Sequence, residues 1–414
     1  MADLLFLSQR LPYPPTKGEK IRAYHELTYL ARHYDVHLGC LADDPADIAH
    51  AAALKPLCRD IHVAPLDPRF ARLTCLSGLL THEGLSVTYF RDRSLSAWVR
   101  RVMQTVRPAM TFVYSSNMAP YVLDLPRTGR FIADIVDVDS AKWRTMAEAE
   151  RGPMRLVYRR EWRRIEALEE RIVRDADMSV LVSDAEAALL ARRVPAASDR
   201  IGAVSNGVDH RYFDPAGFPG PQPNEPPEFV FTGTMDYKPN ADAVAWFATE
   251  ILPLIRAAIP AARFTIVGAN PSRQTQALGE LDGITVTGRV PDVRPWLARA
   301  VASVAPMRIA RGIQNKVLEA MAMARPVVLT PDALEGITAT PGQEVILADT
   351  ARAFADACIG VVQRSDASAI GIAARTRVLH DYDWDACLAR YDDMLRPAGM
   401  PNSSMVESRL KVHP

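Results

Sequence analysis

The 414-residue sequence carries no net charge: 49 lysines and arginines balance 49 aspartates and glutamates. A chain whose main partner is nucleic acid carries a basic excess, so no nucleic-acid partner is expected. Cysteine is scarce. Cys40, Cys58, Cys75, Cys358 and Cys387 are scattered and form no C-x-x-C pair. That argues against a zinc site and fits a reducing compartment. Long apolar runs are missing too, none approaching the roughly 18 residues of a membrane span. The opening MADLLFLSQR has Asp3 where a signal peptide has a basic flank, and no small-residue cleavage site follows. It reads as a first β-strand, and a cytoplasmic location is expected. No G-x-G-x-x-G fingerprint opens a helix, so a dinucleotide cofactor gains no support and no cofactor is expected. His25, His33, His37 and His62 share no metal spacing.

What is present is alternation. DLLFLS, DVHLGCLA, DIHVAPL, MTFVYSS, FIADIVDV, MSVLVS and IGAVSNGVD read as strands, mostly separated by helical patterns. Such βαβ alternation implies a largely parallel sheet covered on both faces. The stretch DPAGFPGPQPNEPPE, from Asp214 to Glu228, is rich in Pro and Gly and nearly free of core residues, so it reads as a linker. Alternation then restarts with FVFTGTM, RFTIVGA, GITVTGRV, ASVAPM, PVVLT and EVILAD. The expected organisation is a doubly wound domain over 1–208, a linker over 209–228 and a second doubly wound domain over 229–381. A C-terminal helix over 382–396 packs back on the first domain, and 397–414 is a disordered tail. Two such domains face each other across a cleft at the carboxyl ends of their strands, where ligands of open α/β sheets bind.

RGIQNKVLEAMAMARPVVLT, from Arg311 to Thr330, places an ammonium and a carboxylate inside an otherwise apolar helix. Lys316 and Glu319 are three apart and share a face. A helix start at Gly312, Ile313 and Gln314 offers unpaired N–H groups to a phosphate, with Asn315 and Lys316 on the first turn. Lys316 adds a point charge, Glu319 is placed to accept from a ribose diol, and Arg308 and Arg311 are placed to close over a diphosphate. The competing reading is an ordinary i,i+3 pair on a solvated face.

NKVLEAMAMARPVV resembles the nucleotide-sugar site of retaining glycosyltransferases of family four, which have the GT-B fold. VSDAEAALL, VSNGVDHRYFDP, FVFTGTMDYKPNADAVAWF and VTGRVPDVRPWLARA resemble further motifs of that family, in its order. The details PPTKGEKIRAYH, DVDSAKW and APMRIARGIQNKVLEAMAM resemble the branch associated with exosortase and PEP-CTERM exopolysaccharide systems. The resemblance implies an α/β GT-B enzyme with two Rossmann-like domains. It implies transfer, without a metal, from a UDP- or GDP-sugar to a glycan or polyprenyl-linked acceptor. Lys316, Glu319 and Arg308 are its expected catalytic residues. Gly18, Gly233, Thr234, Lys238, Arg311, Gly312, Ile313, Gln314 and Asn315 join Lys316 and Glu319 in donor binding.

The sequence departs from the family at three places. Of the Glu-x7-Glu pair only Glu319 remains, with Arg311 at the first position. Thr234 stands where the family has a phosphate-binding Arg, and Lys238 lies near the usual Lys position. The first-domain His has no counterpart, and DIVDVDS occupies that strand end, with Asp137 and Asp139 as the expected catalytic residues there, making polar contacts. The D-x-D triplet also admits a divalent-metal reading, against which such residues commonly cap helices.

In PPTKGEKIR, Gly18 permits a tight turn and Lys17, Lys20 and Arg22 surround a helix start that would close on phosphates or acceptor. RLVYRREWRRIEALEERIVR, from Arg155 to Arg174, is a basic amphipathic helix. It reads either as a contact to anionic lipid at the inner membrane face or as a solvated face laced by i,i+4 ion pairs. A nucleotide-sugar epimerase of the same fold and a non-catalytic sugar-binding protein are the alternatives to a transferase.

Overall fold

The computed structural model describes residues 1–15, 18–69, 71, 75, 78, 83–310, 312–364 and 366–395. The described chain forms two compact units, one of Met1–Ser205 together with Leu388–Leu395, the other Asn206–Cys387.

In the first unit β1 (Ala2–Ser8), β2 (Tyr34–Ala42), β3 (Cys58–Pro65), β4 (Met110–Tyr114), β5 (Arg130–Val136), β6 (Met178–Leu181) and β7 (Ile201–Ala203) make a parallel sheet of order β3-β2-β1-β4-β5-β6-β7. β4 is buried along its whole length and β1 from Leu4 onward, as a strand covered by helices on both faces must be. Every strand anticipated from the apolar runs is present, several with shorter ends.

The second unit repeats the plan. β8 (Glu228–Thr232), β9 (Arg263–Val267), β10 (Ile284–Gly288), β11 (Ala302–Ala305), β12 (Val327–Leu329) and β13 (Ile346–Leu347) form a parallel sheet of order β10-β9-β8-β11-β12-β13. Its core gathers Phe229, Phe231, Phe247, Phe264 and Phe354, all fully buried. After β8 the chain is helical from Lys238 to Ala258 and widens into a π-type turn at Phe247–Ile251. Pro253 lies just beyond that turn and has no N–H for the ladder.

Three boundaries differ from expectation. The chain leaves the first unit after Ser205, not at 208. The stretch 209–228 is not a free connector: Phe213 and Phe218 pack on the second core. Arg375 donates to the Phe213 carbonyl at 2.9 Å, and Arg294 stacks 3.8 Å from the Tyr212 ring. Two aromatic anchors in a Pro-rich stretch outweigh its linker-like composition. At the other end, the single helix read over 382–396 is two pieces, Trp384–Leu388 and Arg390–Leu395. The second piece packs on the first unit, where Tyr391 donates to Glu26 at 2.8 Å and Asp392 accepts from Tyr29 at 2.7 Å. Residues 397–414, read as a disordered tail, lie outside the described residues.

Candidate functional site

In the second unit the polar side chains gather where β8 and β11 end. β11 is followed by a loop carrying Arg308 and by the helix Asn315–Ala322. That helix starts three residues later than the sequence suggested. Gly312 has φ 66°, a left-handed conformation that costs glycine little and turns the chain before the helix. Gln314 is the N-cap but makes no side-chain cap. The first N–H groups of the helix, which no side chain caps, are therefore those of Asn315 and Lys316 rather than of Gly312–Gln314. Ile313, half-buried, packs against the core. Asn315 accepts from Asn206 Nδ2 at 3.3 Å, which gives the asparagine of NGVD a position beside the helix start.

The far side of the helix is core: Val317, Leu318, Ala320, Met321 and Ala322 are buried. Lys316 and Glu319 are half-buried rather than solvated, so the solvated-pair reading does not hold. The Lys316 ammonium donates to Asn240 Oδ1 at 3.0 Å and Gln314 Oε1 at 3.1 Å, and lies 5.3 Å from the Phe231 ring centroid. All of these partners are neutral. Burial pulls its pKa down to about 8, with Glu319 opposing the shift. Glu319 accepts no hydrogen bond among the described residues. Burial pushes its carboxyl up to about 7, with Lys316 opposing. A carboxylate without donors and an ammonium with only neutral partners are two largely desolvated groups with hydrogen-bonding capacity left over.

Asn240, which the motif reading passed over, connects the two sides. It is 4 % exposed and its Nδ2 donates to the Thr234 carbonyl at 2.8 Å. A Cβ on Gly233 would meet that amide at 2.7 Å, so glycine is required there. Thr234 thus contributes its backbone to the network. Lys238 begins the helix Lys238–Trp246 and is exposed. Arg308 is held by Asp242 through a bidentate pair, 2.6 and 3.0 Å, and lies 5.4 Å from the Trp246 ring centroid. Its charge is already matched, so it is not the free cation the sequence suggested. Arg311 lies outside the described residues.

In the first unit Gly18 opens the helix Gly18–Leu30, and Lys17 lies outside the described residues. The expected phosphate-facing cations of that loop are engaged elsewhere. Lys20 pairs with Asp47 at 2.5 Å. Arg22, 1 % exposed, binds Asp134 at 2.6 Å, Glu26 at 3.0 Å and the Val204 carbonyl at 2.8 Å. The helical spacing that made Arg22 look like a loop cation turns it into the core.

Asp137 and Asp139 both converge on Lys142 Nζ, at 2.9 and 3.1 Å. Burial works against that ammonium, but the two carboxylates outweigh it and raise its pKa. The loop carrying them is fixed through its amides: Val138 N donates to Glu186 at 2.7 Å and Ser140 N to Glu169 at 3.0 Å. Glu186 is the glutamate of VSDAEAALL, whose Ser183 caps the same helix. Val136, just before, has φ 70°, an outlier for a β-branched residue of the kind that collects at functional loops. No group of three or more metal-ligating side chains is present among the described residues.

Residues 226–364 match the family model described as Glycosyl transferases group 1. No protein with curated annotation matches the chain. Among solved structures, Anabaena HepE with UDP and glucose is similar at TM-score 0.64 and 13 % identity, over 95 % of this chain and 99 % of that one. Sucrose-phosphate synthase from Thermosynechococcus elongatus is similar at 0.66 and 18 %, over 95 % and 98 %. WaaG, a glycosyltransferase involved in lipopolysaccharide biosynthesis, is similar at 0.61 and 15 %, over 96 % and 100 %. The chain therefore has the GT-B fold, two Rossmann-like α/β units in series, and the glycosyl transferases group 1 match falls on the unit that holds Lys316, Glu319 and Asn240.

Proposed function

We propose that the chain is a retaining glycosyltransferase. It moves a sugar from a UDP- or GDP-sugar to a glycan or polyprenyl-linked acceptor in exopolysaccharide assembly, on the cytosolic side. One observation carries the reading: an ammonium and a carboxylate, both desolvated and without charged partners other than each other, share one face at the start of a helix with an uncapped N-terminus. The presence of UDP and glucose in the HepE structure supports a nucleotide-sugar donor of that kind.

In this reading the diphosphate meets the N–H groups of Asn315 and Lys316 and the Lys316 ammonium. Glu319 accepts from the vicinal ribose hydroxyls. As the bond from sugar to phosphate lengthens, negative charge grows on the leaving oxygen and the sugar becomes oxocarbenium-like. Donors already aimed at that oxygen stabilise the transition state more than the ground state. Asn240 orients the ammonium. The acceptor hydroxyl attacks the face the diphosphate leaves, and its proton passes to the departing phosphate oxygen, so no protein base is needed and the missing histidine is tolerated. The fixed helix dipole and Lys316 supply the cationic field. Asp137 and Asp139 contact acceptor hydroxyls.

The test is a panel of UDP- and GDP-sugars in EDTA, read by melting temperature. A ligand at 100 times its Kd adds about 2.7 kcal/mol to the stability of the native state. The donor so found is then incubated with and without acceptor glycan. Sugar transfer only with acceptor supports the reading, whereas conversion of the sugar without acceptor makes the chain an epimerase. Absence of any nucleotide-sugar effect rejects both.

A further inference from the structure

The helix Met154–Asp175 carries a surface that the transfer reaction does not use. Between residues 151 and 165 six arginines stand against one acid, Glu161. Glu161 is buried and accepts from the amides of Leu85 and Ser86 at 2.6 and 2.8 Å. Arg155, Arg159 and Arg163 are spaced by four, as are Arg160 and Arg164. Such like-charge spacing costs helix stability unless an anion is nearby. A solvated face would have acids at those spacings, yet the guanidinium groups of Arg155, Arg159, Arg163 and Arg164 make no ion pair or hydrogen bond among the described residues. Further along the same helix the pattern is different, and Arg171 pairs with Asp124 and Asp175.

An apolar side chain is set among this charge. Leu156 keeps 72 % of its surface exposed and lines a surface recess with Arg159, Arg160, Arg163 and Arg164. Guanidinium groups around an exposed aliphatic tip match the headgroup region of an anionic bilayer. A polynucleotide would match the arginines and leave Leu156 unexplained.

We propose that this face docks the protein on an anionic phospholipid surface, Leu156 entering the headgroup boundary and the arginines meeting lipid phosphates. The inference goes beyond the transfer reaction and does not depend on it. The experiment is flotation of the full chain with vesicles of phosphatidylcholine alone or with about 30 % phosphatidylglycerol, near 0.1 M salt. The chain floats with the anionic vesicles and not with the neutral ones. Each guanidinium contributes about fivefold, so Arg155→Gln/Arg159→Gln/Arg163→Gln lowers partitioning about 100-fold, the matching triple lysine variant retains it, and Leu156→Ser lowers it about tenfold. All of these residues are exposed, and unchanged circular dichroism and nucleotide binding confirm that the variants are folded. Flotation equal for the wild type and the triple glutamine variant, or absent on anionic vesicles, overturns the proposal. So does duplex DNA binding as tight as vesicle binding and indifferent to Leu156→Ser, which would make the face a general polyanion site.

Discussion

The Lys316 ammonium and the Asn240 amide face each other at 3.0 Å, and the same amide holds the Thr234 carbonyl at 2.8 Å. Asn240 therefore fixes the lysine against the loop that follows β8. Asn240→Leu preserves volume and removes both bonds, leaving Lys316 with Gln314 and Met307 as its polar neighbours. The expected result is a loss of about tenfold in UDP or GDP affinity, roughly one hydrogen bond to a charged group, with the circular dichroism spectrum unchanged. Titration calorimetry measures it.

Lys316 and Glu319 are held at a cost to folding. The Glu319 carboxyl titrates at about 7 in the native state against an ordinary 4.5, so the native state holds a proton that the unfolded chain releases. Stability falls as pH rises between those values. The Lys316 ammonium titrates at about 8 against 10.5, so stability recovers as pH rises from about 8 toward 10.5. Near pH 7.5 both charges are unfavourable. Glu319→Gln is therefore expected to stabilise the protein at that pH by on the order of 1–2 kcal/mol, after discounting for partial exposure. That is a rise of about 2–4 °C in melting temperature, while nucleotide affinity is lost. Equal melting temperatures at pH 5 and pH 7.5 for wild type and variant alike would contradict the burial argument.

A bound diphosphate raises the pKa of Lys316, because an added anion favours the ammonium. Nucleotide binding is therefore expected to take up protons near pH 8, and affinity to fall as pH rises through that value. Calorimetry in two buffers of different ionisation enthalpy reads the proton count directly. A count of zero at pH 8 would remove Lys316 from contact with phosphate.

Asp137→Asn and Asp139→Asn separate acceptor contact from loop architecture. The amides of Val138 and Ser140 remain anchored by Glu186 and Glu169 in either variant, so the fold and nucleotide affinity are expected to stay within about twofold. Turnover is expected to fall by about 10- to 100-fold, the worth of one hydrogen bond to a charged group. Turnover unchanged in both variants would leave these carboxylates only their pairing with Lys142.

Arg22 is flanked by Asp134 and Glu26, and Tyr391 from the end of the chain donates to Glu26. Burial, then the charge of Asp134, pushes the Glu26 carboxyl well above its ordinary range. Removing the cation leaves buried acids uncompensated, so Arg22→Met is expected to cost about 3–5 kcal/mol. Tyr391→Phe removes one hydrogen bond and is expected to cost about 1–2 kcal/mol. Urea unfolding followed by tryptophan fluorescence measures both. The first unit holds Trp98, Trp143 and Trp162 as reporters.

The strands were legible in the sequence because parallel strands buried on both faces are unbroken apolar runs, as in Leu4–Leu7 and Val327–Leu329. Lys316 and Glu319 were legible because charged residues in a core helix contradict their surroundings. Asn240 was not, since a single asparagine near a helix start reads as a cap and only the tertiary fold brings it to Lys316. Arg22 and Lys20 misled for the same reason: proximity to a glycine turn suggested phosphate, while helix phase turned Arg22 toward Asp134 and Lys20 toward Asp47. The Phe213 and Phe218 anchors were hidden by the prolines around them.

The most direct test is calorimetric titration of the full chain with UDP and with GDP in EDTA, for the wild type, Lys316→Ala and Glu319→Gln. The wild type is expected to bind one of the two nucleotides without metal, and each variant to lose about tenfold or more while remaining folded. Affinity unchanged in both variants, or binding that appears only on adding a divalent cation, would contradict the account.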